Sequence, residues 1–254
     1  MGERLLFKKE KRSVIDGKTR IVSKAQTYFV EDITKDFDTE HGKIKKDDFK
    51  KSKAITNTGK EFYVLKPEFI DYYKRIKRLA QIVSLKDIGP IITICGINKN
   101  SVIAEAGSGS GALTSYLAAI AKKVYSFDID SKNLEVSKKT VKKLKLNNVV
   151  FRQCDVYEKI PVENVDVVCL DVPEPWLAID SAVQAVKKGG FIVSYSPCIT
   201  QVQQFVETVN KHEKLLALKT IENIQRHWKV DGQAVRPKSQ LDHTAFLTFV
   251  RRLG

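Results

Sequence analysis

An α/β domain on a mostly parallel sheet, preceded by a small β-rich module, is the fold class that this 254-residue sequence predicts. Three observations carry the prediction. Apolar strand-like runs alternate with helical segments from about residue 84 to about residue 225. The first of those strands breaks into a glycine-rich turn that opens a helix, VIAEAGSGSGA from Val102 to Ala112. Residues 1–65 instead carry short alternating apolar runs separated by turn signals.

Taken in order, the β-rich module spans residues 1–65 and the α/β domain residues 66–254. The module's strand runs are Arg4 to Phe7, Ser13 to Ile15, Arg20 to Val22, Thr27 to Val30, Ala54 to Thr56 and Glu61 to Val64. Asp16-Gly17 and Thr58-Gly59-Lys60 supply turns between them. From Pro67 the period changes: Phe69, Tyr72, Tyr73, Ile76 and Leu79 recur at helical spacing and face away from basic neighbours. After the glycine turn come a helix (Leu113 to Ala121) and strands at Val124 to Ile129, Val149 to Cys154 and Val165 to Leu170. Parallel strands so ordered require right-handed crossovers. Lys187-Lys188-Gly189-Gly190 reads as a helix stop leading into a fifth strand, Phe191 to Tyr195. Two further strands, Leu215 to Ile224 and Thr244 to Val250, flank a long polar segment with Gly232 and Pro237 and suit an antiparallel pair at the sheet edge.

The glycine turn carries the chemistry. Gly107, Gly109 and Gly111 let a ligand approach the backbone, and the first N–H groups of the following helix face it. Dinucleotide enzymes use G-x-G-x-x-G to accept a pyrophosphate, whereas this G-x-G-x-G suits a ligand without phosphate, such as S-adenosylmethionine. Asp128 follows the first glycine by about 20 residues, the offset at which such folds place a carboxylate on ribose hydroxyls. Asp155 and Asp171 close the next two strands, so three carboxylates should line one crevice beyond the strand ends. The loop LDVPEPW, Leu170 to Trp176, is stiffened by its prolines and offers Trp176 as a flat apolar surface.

Composition narrows the class. Forty-four Lys and Arg against 30 Asp and Glu give a net charge of +14. The basic clusters (Lys8 to Arg12, Lys43 to Lys53, Lys74 to Arg78, Lys138 to Lys145) suit a polyanion-binding face, the last also reading as the solvated face of a crossover helix. No apolar run approaches the ~20 residues of a membrane span, and the N-terminus has no apolar signal core, which predicts a cytoplasmic protein without a membrane partner. The four cysteines (Cys95, Cys154, Cys169, Cys198) lack C-x-x-C spacing and the four histidines are scattered. Buried free thiols and no metal site are expected.

Taken together, these blocks resemble one family, the tRNA (adenine-N1)-methyltransferases that modify the T-loop. The resemblance rests on Gln81-Ile82-Val83, EAGSGSGALT (Glu105 to Thr114), VYSFD (Val124 to Asp128), Asp155-Val156, LDVPEPW, SYSPCITQV (Ser194 to Val202) and the tail from Arg226 to Arg252. It implies a Rossmann-like class I methyltransferase domain whose seven-stranded sheet carries an antiparallel C-terminal strand, and a small N-terminal β domain. It also implies a homotetramer, with S-adenosylmethionine as cofactor and tRNA as partner. Gly107, Gly109, Ser110, Gly111, Ala112 and Leu113 would embrace the methionine part, with Asp128 on the ribose diol. Asp155 would meet the adenine amino group, with Val83 and Val156 packing nearby, and Asp171 would be the catalytic carboxylate.

Departures from the family pattern are visible. Asp128 stands where Glu is common, and Asn133 where Arg or His is. Ser84 replaces an aromatic or His-type residue near the target base, which leaves Trp176 and Tyr195 as the rings to stack on it. Asp242 replaces a glycine before the HTAFL block, whose His243 is a further substrate-binding candidate. The implied product is 1-methyladenosine at position 58, with position 57 as an extra target in archaeal-type relatives. The alternatives are a non-catalytic RNA-binding subunit of such an enzyme, or a methyltransferase acting on a protein or small molecule. The intact glycine turn with all three aspartates weighs against the first, and the net charge of +14 against the second.

Overall fold

The computed structural model describes residues 2–77, 82–231, 234–239 and 243–254. Arg78, Leu79, Gln81, Gly232 and Asp242, used above, lie outside the described residues. The chain divides into two compact units, Met1–Arg75 with Asp231–Ala234, and Ile76–Val230 with Val235–Gly254.

The first unit contains β1 (Arg4–Lys8), β2 (Lys11–Ile15), β3 (Lys18–Ser23), β4 (Gln26–Val30), β5 (Phe37–Thr39), β6 (Gly42–Ile44), β7 (Lys53–Ile55), β8 (Glu61–Leu65) and the short α1 (Phe69–Tyr73). Four strands form an antiparallel sheet in the order β4-β1-β8-β7. The inward residues Leu6, Ile44, Phe49, Ala54 and Phe62 are fully buried as its core, each large one contributing about 1.5–3 kcal/mol. Two ribbons accompany it. The β2–β3 turn holds Asp16 and Gly17 both at positive φ, the hairpin geometry that an Asp-Gly pair favours. The β5–β6 ribbon has no clear alternation in the sequence and was not among the expected strands. The helical stripe begun at Phe69 also stops early: α1 ends at Tyr73, and Arg75 N bonds Tyr72 O in a tighter turn.

The second unit runs α2 (Leu85–Ile94), β9 (Val102–Ala106), α3 (Ala112–Ile120), β10 (Lys123–Asp128), α4 (Ser131–Lys143), β11 (Val149–Gln153) and β12 (Val165–Leu170). It continues with α5 (Ile179–Ala185), β13 (Val186–Ser196), α6 (Ile199–Lys211), β14 (Leu215–Glu222), β15 (Trp228–Asp231), β16 (Ala234–Pro237) and β17 (Phe246–Arg252). Seven strands form one sheet, β11-β10-β9-β12-β13-β17-β14, parallel except for β17. The strands of the parallel half are mostly apolar, as a sheet covered on both faces requires, with Glu105 and Ser126 as buried polar exceptions. Phe127, Leu170, Ile192, Phe205 and Val250 are among the residues fixing it to the helices.

Two details differ from expectation. β13 begins at Val186, so Lys187-Lys188-Gly189-Gly190 is strand rather than helix stop. The register with β12 shifts there, and a Cβ on Gly190 would meet Asp166 O at 2.8 Å, which explains the glycine without a cap. As expected, the last two sheet strands form an antiparallel pair at one edge, with β17 beside β13 and β14 outermost. The polar segment before β17, which the sequence predicts as a connection, holds a two-stranded ribbon, β15–β16.

Candidate active site at the carboxyl ends of the strands

Strand order reverses direction between β9 and β12, and there the carboxyl ends of parallel strands leave a crevice. A cleft of about 470 Å³ occupies it, lined among others by Gly107, Asp128, Asp155, Asp171, Pro197 and Gln201. Gly109, Asn133 and Val156 also line it. Of the expected binding residues, seven therefore meet in this cleft. Ser110, Ala112 and Leu113 are buried in the turn and the first residues of α3, Gly111 caps that helix, and Val83 is buried but does not line the cleft.

The turn is shaped by close backbone approaches. Gly107 has φ +91, and a Cβ there would lie 2.0 Å from the Asp171 carbonyl oxygen. Gly111 is the left-handed N-cap of α3, where a Cβ would meet Ser137 Oγ at 2.6 Å. Gly107 N and Ser108 N both bond Phe127 O, which hangs the turn on the end of β10. Beneath it lies the buried Glu105, whose Oε2 accepts from Thr114 Oγ1 at 2.9 Å and from Ser126 Oγ at 2.5 Å. Its other oxygen has no hydrogen-bond partner among the described residues. Burial raises the Glu105 pKa to about 7, against the two hydroxyl bonds and with help from the Asp128 charge.

Asp128 ends β10 with both oxygens in use. Gly109 N donates to Oδ2 at 3.0 Å and Asp130 N to Oδ1 at 2.9 Å, while Asn133 Nδ2 reaches both oxygens at 3.2–3.3 Å. A carboxylate has about four lone-pair sites, so the long amide contacts can yield to a diol. Asp155 caps its own loop by accepting from Tyr157 N at 2.9 Å. Asp171 N bonds Ala106 O at 2.9 Å, so the aspartate is fixed to the strand that carries the glycine turn. Part of Asp171's surface opens into the cleft, yet the packing around its carboxyl raises its pKa to about 8, with the Glu105 charge adding to the rise.

The aromatic candidates sit differently. Trp176 is partly buried and packs against the sheet core, in a short helical turn from Pro175 to Ala178. Tyr195, near the end of β13, is 4% exposed. Burial and then the charges of Asp87 and Asp171 push its hydroxyl up to about 12, and that hydroxyl has no hydrogen-bond partner among the described residues. Neither ring is among the residues lining the cleft. Ser84, in the place of an aromatic, donates instead to Asp87 Oδ2 at 2.8 Å.

Residues without an assigned role in the sequence reading complete the walls. Tyr157 accepts from Glu174 N at 3.0 Å and so holds the Pro-rich loop from one side. Gln201 holds it from the other, donating from Nε2 to Pro173 O at 2.8 Å while its Oε1 accepts from Cys198 N. Cys198 and Gln201 form a capping box at the start of α6, a spacing that is legible as C-x-x-Q once cysteine is admitted as a cap. Cys198 is also exposed, against the expectation that all four thiols are buried; Cys95 and Cys169 are buried and Cys154 half-buried.

The basic clusters are unequal. In the first unit Lys8 is 7% exposed and bonds Ser23 and His41, so it is withdrawn from the surface. Lys45, Lys51 and Lys53 pair with Asp36, Asp48 and Glu61. The lysines of α4 are exposed, as a solvated crossover helix implies. Among the described residues no group of three or more His, Cys, Asp or Glu gathers in a metal-binding arrangement, and no helix is long and apolar enough to cross a membrane.

This strand order with one antiparallel strand, and a G-x-G-x-G turn facing carboxylates at the ends of β10 and β12, define the Rossmann-like class I methyltransferase fold. Solved structures agree. A SAM-dependent O-methyltransferase from Thermotoga maritima superposes with a TM-score of 0.81 at 26% identity, covering 100% of this chain and 94% of that one. The structure titled tRNA (m1A58) methyltransferase TrmI from Aquifex aeolicus superposes with a TM-score of 0.75 at 23% identity, covering 100% and 98%, and so speaks to the fold. The family described as tRNA methyltransferase complex GCD14 subunit matches residues 60–246. A tRNA (adenine(57)-N(1)/adenine(58)-N(1))-methyltransferase TrmI from Methanocaldococcus jannaschii is 32% identical, over 92% of this chain and 94% of the relative. A tRNA (adenine(58)-N(1))-methyltransferase TrmI from Thermus thermophilus is 33% identical, over 78% and 79%. The chain belongs to the tRNA (adenine-N1)-methyltransferase family.

Proposed function

We propose that the protein is an S-adenosylmethionine-dependent tRNA methyltransferase that forms 1-methyladenosine at position 58 of the T-loop. The observation that carries the reading is Asp171, held one strand away from the glycine turn and lining the same cleft. The relatives named for adenine 57 and 58 support the substrate, and position 57 is proposed as a second target on the strength of the Methanocaldococcus relative.

The residues present fit the donor. The turn from Gly107 to Leu113 would hold its methionine part and Asp128, steadied by Asn133, its ribose hydroxyls. Asp155 would take its adenine amino group between Val156 and the buried Val83. When bound, S-adenosylmethionine supplies a methyl group on a positively charged sulfur. Adenine N1 carries its own lone pair, so the protein has to align rather than deprotonate, an effect worth roughly 7–11 kcal/mol. Asp171 accepts a hydrogen bond from the exocyclic N6 amine, fixes the ring and offsets the charge that methylation places on it. Trp176 and Tyr195 are proposed to border the base. Extruding that base from the T-loop costs a few kcal/mol, which phosphate contacts from the exposed lysines offset.

Mass spectrometry of a tRNA transcript after incubation with protein and donor tests the reading: one added methyl should map to adenine 58, on the ring. Methyl on a ribose or other hydroxyl would favour the chemistry named for the Thermotoga neighbour, and no added mass would sink the proposal. A cytoplasmic homotetramer is proposed from the family resemblance; light scattering at about four times the 28.7 kDa of one chain checks the assembly.

The carboxylate form of Asp171 is the active one, and its pKa is raised to about 8. Rising pH should therefore raise kcat/KM through that value. Glu105→Gln removes the charge that helps hold Asp171 protonated, so the acid limb should move to lower pH. A profile unmoved by Glu105→Gln would separate the two carboxyls.

A further inference from the structure

The tail residue His243 makes two contacts that no neutral histidine can satisfy. Its Nδ1 lies 2.6 Å from Glu222 Oε1 and its Nε2 lies 2.8 Å from the Pro197 carbonyl oxygen. A carboxylate and a carbonyl both only accept, whereas neutral imidazole offers one N–H and one lone pair. One contact would then set lone pair against lone pair. The imidazolium, with a donor on each nitrogen, satisfies both.

Where these contacts lead decides their meaning. Pro197 lines the cleft, and the next residue, Cys198, opens α6 with its N–H on the Gln201 side chain. Gln201 in turn donates to Pro173 O, two residues beyond Asp171. A continuous line of bonds thus runs from Glu222 through His243 and Pro197 to the loop that carries Asp171. The neighbouring Thr244 anchors the same tail to α2, accepting from Lys86 Nζ at 2.7 Å and donating to Asp87 Oδ2 at 2.6 Å. Asn223 adds a bond to the Lys86 carbonyl.

We infer that His243 is a positioning residue of the methyl-transfer site, a cationic clamp that holds Pro197 and, through it, the Asp171 loop. The inference rests on the function proposed above and assigns His243 an indirect part in place of direct contact with RNA. The groups facing the ring are Glu222 from β14, which favours the charged form, and Lys86 from α2, which opposes it. The Phe246 ring lies beside it at 5.0 Å. The two hydrogen bonds outweigh Lys86 and the slight burial, so the pKa lies above the ordinary histidine value of 6.5. The clamp is therefore charged at lower pH and is lost as pH rises through that raised value.

Histidine-labelled protein has four imidazole signals, one of which His243→Gln removes and so assigns. In the parent that signal should titrate above 6.5, and Glu222→Gln should bring it down. His243→Gln should lower kcat about tenfold to a hundredfold, the size of one charge-assisted hydrogen bond. Donor Kd should stay within about twofold of the parent, since no donor contact is removed. His243→Arg, which keeps a cationic donor, should recover part of the loss, a rescue that simple packing would not give. If His243→Gln fails to fold, the Glu222→Gln titration and turnover decide the matter. A signal titrating at or below the ordinary range, or a kcat unmoved by both substitutions, would overturn the clamp. Parent protein that leaves tRNA unmethylated would remove the proposed function instead, while the titration still reports on the imidazolium.

Discussion

Asp171→Ala should reduce methyl transfer to tRNA by at least about a thousandfold, the upper range for removing one preorganised electrostatic contact, while donor affinity stays within about tenfold. The split follows from position. The turn that would hold the donor takes its shape from Phe127, Glu105 and Asp128, and none of those bonds uses the Asp171 side chain. Single-turnover kinetics with titration calorimetry measure the two quantities separately. Asp171→Asn supplies the control for folding. The folded protein holds a proton on Asp171 up to about pH 8 that an unfolded chain releases near 3.8. That difference costs stability progressively as pH rises between those values. The Asn variant escapes the cost, so above neutrality it should melt no lower than the parent while remaining inactive. Turnover within tenfold of the parent in either variant would take the catalytic role away from Asp171.

Gly107→Ala should be comparably damaging by a different route. Its φ of +91 is unfavourable for alanine, and its Cβ would stand 2.0 Å from a backbone oxygen of Asp171, which no side-chain rotation relieves. Either the turn or the end of β12 has to move, and both border the cleft. Donor affinity should fall at least about a hundredfold, and the melting temperature by several degrees, about 2–4 °C per kcal/mol for a chain of this size. Gly109→Ala is the comparison: the nearest atom to its Cβ is 3.9 Å away, so only the left-handed backbone, about 1 kcal/mol, opposes it. Equal stability losses in the two variants would remove the steric argument.

Much of the second unit was legible because its signals are local. Val165 to Leu170 is the strand the sequence predicted, residue for residue, and β10 and β11 shift by one at their ends. Continuous apolar runs closed by aspartates announce parallel strands and their ligand-facing ends together. What escaped was non-local. Lys187 to Gly190 carries the composition of a helix stop, and only the pairing of its flanks, Val186 and Phe191, with β12 draws it into the strand as an irregularity. The ribbon β15–β16 has only four residues on each side, and its apolar residues Trp228, Val230 and Val235 are exposed, so its signal is too short to stand out from a polar connection. At the site, Asp128, Asp155 and Asp171 were readable from their places after strands. Gln201, Tyr157 and Glu105 were not assigned, because their importance lies in partners 17 to 28 residues away or on a neighbouring strand. Trp176 and Tyr195 are legible in the sequence as rings but not as packed ones, and both are enclosed in the fold.

One bond deserves a longer view, that from Asp171 N to Ala106 O. It continues the β9–β12 ladder in which Leu170 faces Ala106, so the glycine turn and Asp171 follow adjacent rungs of a single sheet. Nothing has to swing shut to bring them within reach of one another. The pairing of those two strands sets the turn and the aspartate side by side, with the end of β10 as the turn's other anchor.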